Sequence, residues 1–225
     1  MDFASMNWQP FYLTAKLAFF TTLCLLPIGI VLTKWMIRSR IKLLLETLIS
    51  LPLVLPPSVL GFYLLLAMSP HFSLGRWLLE QWNLQLLFTF EGLVIGSILY
   101  SLPFMVQPIR IAYTAIPKNL LEASKTFGKS TLTTFLRIEI PLIRSGLLVG
   151  SIMAFAHTVG EFGLVLMIGG ALPGVTNVIS IAIYHEVEMN NYAQANLYAF
   201  ILVTFCFTLL FILNYCNRRY QFFNS

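Results

Sequence analysis

The sequence predicts an all-α membrane protein with about five transmembrane helices. Hydrophobic residues make up 58% of the 225 residues and charged residues only 10%, whereas a soluble domain carries about 25% charged residues. The mean hydropathy is accordingly high, at +0.80. Crossing a bilayer takes about 20 apolar residues, and five runs are long enough, at about 11–34, 43–68, 88–109, 142–168 and 193–215.

The positions of the basic residues predict the orientation of these spans. Of the 14 Lys and Arg, all but Lys16 and Arg76 lie between spans one and two, between spans three and four, or after span five. Cytoplasmic loops are enriched in Lys and Arg, so we expect the N-terminus outside and the C-terminus in the cytoplasm. The net charge of +5 then reports topology, and we expect no nucleic acid partner. The residues on the expected cytoplasmic side are Lys34, Arg38, Arg40, Lys42, Arg110, Lys118, Lys125, Lys129, Arg137, Arg144, Arg218 and Arg219.

Span one is expected to be a mature helix and not a cleaved leader. It is longer than the apolar part of a signal peptide, contains Pro27 and has no basic segment before it. Cys24 and Cys206 lie inside spans and Cys216 at a span end. We therefore expect small buried apolar groups and no disulfide framework.

Span two contains three prolines in the stretch LPLVLPPSVLGF, Pro52, Pro56 and Pro57. Proline has no amide hydrogen, so it bends or breaks a helix. In a membrane this is tolerated only where protein or water satisfies the freed backbone groups. Two interpretations remain open, an ordinary kink and a hinge beside a pore.

Residues 111–141, between spans three and four, form the longest polar segment. The pattern predicts two short helices. The first follows Pro117 and ends at Gly128, which can adopt a left-handed conformation. The second begins at Ser130, a residue type that caps helices, and stops at Glu139 before Pro141.

The stretch EASKTFGKST within this segment raises the possibility of nucleotide binding, because Gly128-Lys129-Ser130 is close to a phosphate-binding loop. Such a loop needs a β-strand before it and a helix that begins at its lysine. Here the preceding AIPKNLLE has a helical pattern, and the spans leave no room for a parallel sheet. We expect that this chain does not bind ATP itself.

The same stretch resembles the signature of the membrane subunits of ATP-binding-cassette (ABC) importers, which reads Glu-Ala-Ala, three residues, Gly, nine residues, Ile-x-Leu-Pro. Only Ser124 and Ile140 depart from it. The resemblance implies the type I importer permease fold. It also implies that residues 111–141, which we name the coupling segment, dock on a separate ATPase subunit. Small residues would let the docking helix seat closely, Gly128 would allow a sharp reversal, and a plain amphipathic loop helix is the alternative. The residues implied in coupling are Glu122, Ala123, Ser124, Gly128, Ile138 and Pro141.

Two further stretches, LPLVLPPSVLGFYLL and AFAHTVGEFGLVLMIGG, resemble the permeases of oxyanion importers, above all the molybdate permease family. The resemblance implies a homodimer in the bacterial inner membrane with the path at its interface, surrounded by lipid. It also implies two ATPase subunits and an extracytoplasmic molybdate-binding protein as partners, and no cofactor. Tungstate and sulfate remain alternative cargoes.

A path for a divalent anion needs hydroxyl and amide donors with little fixed positive charge. Spans two to five hold no Lys or Arg near their centres and contain the hydroxyls of Ser58, Ser97, Ser101, Ser151, Thr158 and Thr204. These hydroxyls can equally serve helix packing. The candidate path or hinge residues are Pro56, Pro57, Ser58, Gly61, Gly160, Glu161 and Gly163.

Glu161 lies deep in span four, where an ionisable residue is a functional candidate. A carboxylate lining an anion path would repel the cargo, so we expect it to hydrogen-bond across helices; gating is the alternative. His157 is expected to be a packed polar residue rather than a metal ligand. A haem-binding membrane anchor of a redox complex would need His157 and His185 on facing helices, and an ion-coupled carrier would need no ATPase.

Residues 175–189 have a helical pattern with too few consecutive apolar positions to cross a membrane. We expect a re-entrant or a surface helix there.

Overall fold

The computed structural model describes residues 6–222, and for Lys118, Lys125 and residues 212–222 it describes the backbone alone. All regular structure in the described range is helical. The side chains of Lys118, Lys125, Cys216, Arg218 and Arg219, which entered the sequence argument, lie outside this description. The helices are α1 Gln9–Arg38, α2 Lys42–Ser50, α3 Pro57–Met68, α4 Ser73–Trp82, α5 Phe90–Thr114, α6 Lys118–Thr126, α7 Thr131–Thr134, α8 Ile140–Val159, α9 Gly163–Gly169, α10 Ile179–Glu188 and α11 Tyr192–Phe222.

Four continuous helices among the described residues are long and apolar enough to cross a membrane. A fifth span is formed if α2 and α3, which meet at a bend of 106°, are counted together. The fold class predicted from the sequence is therefore confirmed. The four continuous helices are Gln9–Arg38, Phe90–Thr114, Thr131–Val159 and Tyr192–Phe211.

The centre of the fold is the packing of α1, α5 and α8. Gly146 and Gly150 of α8 face α5 and let the two backbones approach closely. A Cβ atom on Gly146 would lie 2.7 Å from Pro108 O, and one on Gly150 would lie 2.9 Å from Met105 O. Small residues at this four-residue spacing are typical of tight helix pairs in membranes. Around the contact the buried side chains include Leu25, Met105, Ile109, Ile143 and Ala154.

The prolines of span two break the helix, as the sequence predicts. α2 ends at Ser50, a 3₁₀ turn covers Leu51–Leu53, and α3 begins at Pro57. Proline at the first position of a helix is favourable because the missing amide has no partner there in any case. Pro56 and Pro57 therefore mark the start of a new helix and not a kink within one.

The predictions for the helix after Ser130 and for the fourth span are both wrong at their C-terminal ends. The helix after Ser130 does not stop before Pro141, because residues Thr131–Val159 form one helical stretch of 29 residues. A π turn at Phe135–Glu139, in which the Ile140 N–H bonds to Phe135 O, carries the chain past the proline. At its other end the stretch stops at Val159, so residues 142–168 do not form a single helix.

The short helix α10 is enclosed by protein on one side. Ile179 and Ile181 are fully buried, and the Ile179 N–H donates to Thr14 Oγ1 of α1 at 2.8 Å. Phe11 of α1 and Tyr198 of α11 meet edge to face at 5.6 Å beside it. The helical pattern at residues 175–189 was thus correctly interpreted as a short helix, here docked against α1 and α11.

We expect Gly146→Ala to destabilise the protein. The added methyl group would lie 2.6 Å from Ala112 Cβ and 2.7 Å from Pro108 O, and overpacking of this kind costs about 1–3 kcal/mol. The matched control is Gly160→Ala, whose Cβ would meet no atom closer than 3.6 Å. Thermal unfolding in detergent should show a lower midpoint for the first variant only. Equal midpoints would contradict the close α5–α8 contact.

Candidate functional site

A cavity of about 470 Å³ lies where α3 begins and α8 ends. It sits beside both interruptions of the membrane helices, the proline break before α3 and the gap between α8 and α9. Such irregular backbone is tolerated in membrane proteins where it lines a cavity or is buried in protein. The residues that line the cavity are Pro57, Ser58, Tyr100, Ala156, His157, Gly160, Glu161, Phe162 and Gly163.

Five of the seven candidate path or hinge residues line this cavity; they are Pro57, Ser58, Gly160, Glu161 and Gly163. Pro56 directly precedes α3 as its N-cap. Gly61 lies one turn further on, where a Cβ atom would be 3.2 Å from the Leu164 Cα of α9. The structure therefore brings these residues, which are about 100 positions apart in the chain, to one crossing of α3 and α9.

The Glu161 carboxylate is buried and hydrogen-bonds across to α5. Ser97 Oγ donates to Oε2 at 2.5 Å and Ser101 Oγ donates to Oε1 at 3.2 Å. Both serines are fully buried. The expected hydrogen bonding of Glu161 across helices is observed, because the break after Val159 lets the residue leave its helix and turn toward α5.

The backbone of Glu161 is also satisfied. Ser180 Oγ of α10 donates to the Glu161 carbonyl at 2.5 Å, and the Glu161 N–H returns to Thr158 O at 3.3 Å. An unpaired carbonyl inside a membrane would cost several kcal/mol. Glu161 therefore ties the break to α5 through its side chain and to α10 through its main chain.

His157 is packed between aromatic rings, as expected. Its ring centroid lies 4.0 Å from that of Phe104 and 4.6 Å from that of Tyr100, and Nδ1 lies 2.9 Å from Ser101 Oγ. Among the side chains that the structure describes, no group of three or more His, Cys, Asp or Glu is arranged to hold a metal ion.

The predicted row of hydroxyls is mostly used within the protein. Ser151 Oγ donates to Leu147 O and Thr204 Oγ1 to Phe200 O of their own helices, while Thr158 Oγ1 donates to Ala154 O. Ser97 and Ser101 are engaged by Glu161. Of the two interpretations that the sequence left open for these hydroxyls, the hydrogen bonds favour helix packing, and Ser58 is the member of the set that lines the cavity.

The coupling segment folds as a hairpin. Gly128 has φ +65° and reverses the chain after α6, and the Ser130 side chain caps α7 by accepting the Thr133 N–H at 3.1 Å. Ser124 Oγ lies 2.7 Å from Thr134 Oγ1, and both residues are buried. The predicted reversal at Gly128 and cap at Ser130 are confirmed, but Ser124 braces the hairpin from inside instead of lying on its outer face.

The outer face of the hairpin is apolar at its tip. Phe127 is 79% exposed and Leu132 is 65% exposed, and Glu122, Ala123 and Pro141 are exposed as well. Phe127 was not among the coupling residues expected from the sequence. An aromatic residue directly before the turn glycine of a polar segment could have indicated an exposed contact residue. Exposed apolar groups at a loop tip are typical of a protein contact surface.

A family profile described as the binding-protein-dependent transport system inner membrane component matches residues 25–222. The chain belongs to this family. It is therefore a multi-pass inner membrane transport subunit, of a class that works with a binding protein and ATPase subunits.

Among relatives, the chain is 46% identical to the molybdenum transport system permease protein ModB of Azotobacter vinelandii over 212 residues, which cover 93% of each chain. It is 34% identical to the protein of the same name from Escherichia coli K12, over 81% of this chain and 80% of the relative. A probable sulfate transport system permease protein cysT of Prototheca wickerhamii is 29% identical over 92% of this chain and 82% of its own length.

Solved structures agree on the fold. A chain of a bacterial ABC transporter involved in the import of the acidic polysaccharide alginate matches with a TM-score of 0.76 at 18% identity, covering 94% of this chain and 78% of that chain. A chain of the MetNI methionine ABC transporter in an inward-facing conformation matches with a TM-score of 0.67 at 16% identity, covering 94% and 93%. The fold is that of ABC importer permeases.

Replacing Glu161 should separate its two contributions, hydrogen bonding and charge. Glu161→Gln keeps a carbonyl acceptor for one of the two serines, whereas Glu161→Leu removes the acceptor of both. Ser101 Oγ keeps contacts with His157 Nδ1 at 2.9 Å and Thr158 Oγ1 at 3.0 Å, so the cost of about 1–3 kcal/mol for an unsatisfied buried group falls on Ser97. We expect a clearly lower unfolding midpoint in detergent for the Leu variant than for the Gln variant. If both variants unfold at the wild-type temperature, the carboxylate does not hold α5 to the break.

Proposed function

We propose that this chain is the permease subunit of an ATP-driven importer that carries molybdate into the cytoplasm. The observation that carries the proposal is the 46% identity over 93% of both chains to a molybdenum permease. Relatives at 33–34% identity carry a molybdenum transport name as well. Molybdate is a divalent oxyanion that has to be released again during transport, which favours recognition by neutral hydrogen-bond donors over binding by fixed positive charge.

The coupling segment is the part that transmits the work of the ATPase. Glu122, Ala123 and Gly128 lie on the exposed hairpin with Phe127, while Ser124 holds the hairpin together. Ile138 and Pro141 lie where the hairpin continues into α8, so a push on the tip is delivered to a transmembrane helix. A separate ATPase subunit contacts this surface on each of two permease copies.

The transport path runs along the interface of the two copies, and the cavity beside Glu161 is the part of this chain that contributes to it. None of the described residues lining the cavity is Lys or Arg. Ser58 offers a hydroxyl at the first turn of α3, and Pro56, Pro57 and Gly61 let α3 shift against α9. An anion meets donors of moderate strength here and can leave again, as passage requires.

The orientation follows the basic residues, with the N-terminus outside and the C-terminus in the cytoplasm. The described positions of Lys34, Arg38 and Arg110 are consistent with this, since all three lie toward the C-terminal ends of α1 and α5, the ends nearest to the coupling segment. The spans are those expected from the sequence near residues 11–34, 43–68, 88–109 and 193–215, with the fourth at Thr131–Val159. An extracytoplasmic molybdate-binding protein delivers the anion to the opposite face.

Tungstate or sulfate is the second candidate cargo, because relatives with a sulfate permease name match over most of this chain. The complete assembly of permease, ATPase and binding protein, reconstituted in lipid vesicles, should hydrolyse ATP faster with molybdate than with sulfate. If only sulfate stimulates ATP hydrolysis, the cargo is sulfate and not molybdate. Stimulation by no oxyanion would contradict the oxyanion proposal.

Changing Gly128 should abolish uptake without blocking membrane insertion. Its φ of +65° is unfavourable for a β-branched side chain, so Gly128→Val is expected to disturb the hairpin and reduce uptake at least about tenfold, equivalent to a loss of about 1.4 kcal/mol in coupling. Gly128→Asn is the matched control, because Asn tolerates the left-handed region and no atom lies within 4 Å of the Cβ position. Normal cargo-dependent ATP turnover in the Val variant would refute the coupling role.

A further inference from the structure

The π turn that joins the coupling segment to α8 ends on a buried carboxylate, Glu139, whose position the family signature leaves unspecified. We propose that Glu139 is a positioning residue that clamps the base of the coupling segment to α1 and α5 through Lys34 and Tyr113. The clamp makes the hairpin and the three-helix core move together when the ATPase acts. This inference rests on the proposed ATPase coupling through residues 111–141.

Three helices converge on the Glu139 carboxylate. Lys34 Nζ of α1 donates to Oε2 at 2.6 Å, and Tyr113 OH of α5 donates to the same oxygen at 3.2 Å. The Glu139 side chain is 5% exposed and that of Lys34 is 20% exposed. The partners are 105 and 26 residues away in the chain, so the contact joins segments that sequence separates.

The Lys34 side chain holds both ends of the π turn. Its ammonium lies 4.3 Å from the centre of the Phe135 ring, at the first residue of the turn, and it is paired with Glu139 at the last. A cation over an aromatic face adds an attraction of about 0.5–1 kcal/mol when exposed and more when desolvated. π turns interrupt the regular hydrogen bonding of a helix and often occur at functional sites. The two contacts of Lys34 therefore stabilise this helix at the point where it could bend.

A buried ion pair is a poor device for stability alone. Its desolvation cost often cancels the attraction, and apolar replacements of similar size can be neutral or stabilising. The pair instead fixes the relative orientation of the helices, because an ammonium, a phenol and a carboxylate fit together in one arrangement. That is the property required of a joint that transmits motion.

The chain contains a natural control. Arg110 Nη1 of α5 and Glu46 Oε1 of α2 also form an ion pair, at 3.1 Å. Their side chains are 37% and 34% exposed, and exposed pairs contribute little. This second pair joins two membrane helices near the same end of α5 without touching the coupling segment.

The experiment uses the complete assembly of permease, ATPase and molybdate-binding protein in lipid vesicles, and measures molybdate uptake and ATP hydrolysis on the same sample. The test variant is the double substitution Lys34→Met and Glu139→Leu, which replaces the buried pair with apolar groups. The control is Glu46→Leu with Arg110→Met. Because residues in contact are coupled energetically, we expect uptake per ATP to fall about fivefold or more in the test variant and to stay within about twofold of wild type in the control.

A second pair of variants guards against a simple loss of folding. Glu139→Gln keeps an acceptor of the same shape for Tyr113 but loses the charge, and should also lower uptake per ATP while the assembly elutes intact. Lys34→Arg keeps a cation and should retain most of the wild-type ratio. Merely structural damage would lower ATP turnover and uptake together and leave their ratio unchanged.

An unchanged ratio in the folded test variants, with wild-type coupling present, would overturn the role of Glu139 alone. A wild-type assembly in which molybdate stimulates neither uptake nor ATP hydrolysis would overturn the proposed function and this inference with it.

Discussion

The close contact between α5 and α8 is the interaction on which the remaining structure depends. In lipid there is little hydrophobic force between helices, so association relies on packing and on polar contacts. Gly146 and Gly150 bring the α8 backbone against α5, and α1 completes the core, with Gly29 lying against Met105. The broken helices, the cavity and the hairpin all adjoin this core of α1, α5 and α8.

The helical stretch Thr131–Val159 joins the two functional regions directly. Its 29 residues span roughly 40 Å at 1.5 Å per residue, from the coupling hairpin to the cavity. Its α-helical hydrogen bonding is interrupted at the π turn that ends at Glu139, and it stops at the break that precedes Glu161. At each place a buried carboxylate accepts hydrogen bonds from α5, through Tyr113 at one end and through Ser97 and Ser101 at the other. The helix can act as a rod because α5 braces both of its weak points.

Local sequence signals predicted the parts of this arrangement that depend on nearby residues. Hydropathy predicted the spans apart from the fourth, which begins earlier and ends earlier than residues 142–168. The prolines predicted the break before α3, and Gly128 and Ser130 predicted the hairpin. Contacts between distant residues were beyond these signals. The partners of Glu139 and Glu161 lie up to 105 residues away in the chain, and periodicity assigns a residue to a helix face without naming what it meets. The same limit explains Ser124, which turns inward to Thr134, and Pro141, which the π turn allows within a continuous helix.

The charged side chains of Glu161 and Lys34 hold helices together and do not point into the proposed transport path as free charges. Glu161 borders the cavity, yet both of its oxygens accept hydroxyls from the α5 side, so its hydrogen-bonding capacity is directed into the protein. Lys34, a cation at the base of the hairpin, is held by Glu139 and Phe135. A free cation beside the path would bind a divalent anion tightly and slow its release, and a free carboxylate would exclude it. Both kinds of charge are instead used to hold helices together, so in the proposed path hydroxyl and backbone groups meet the cargo.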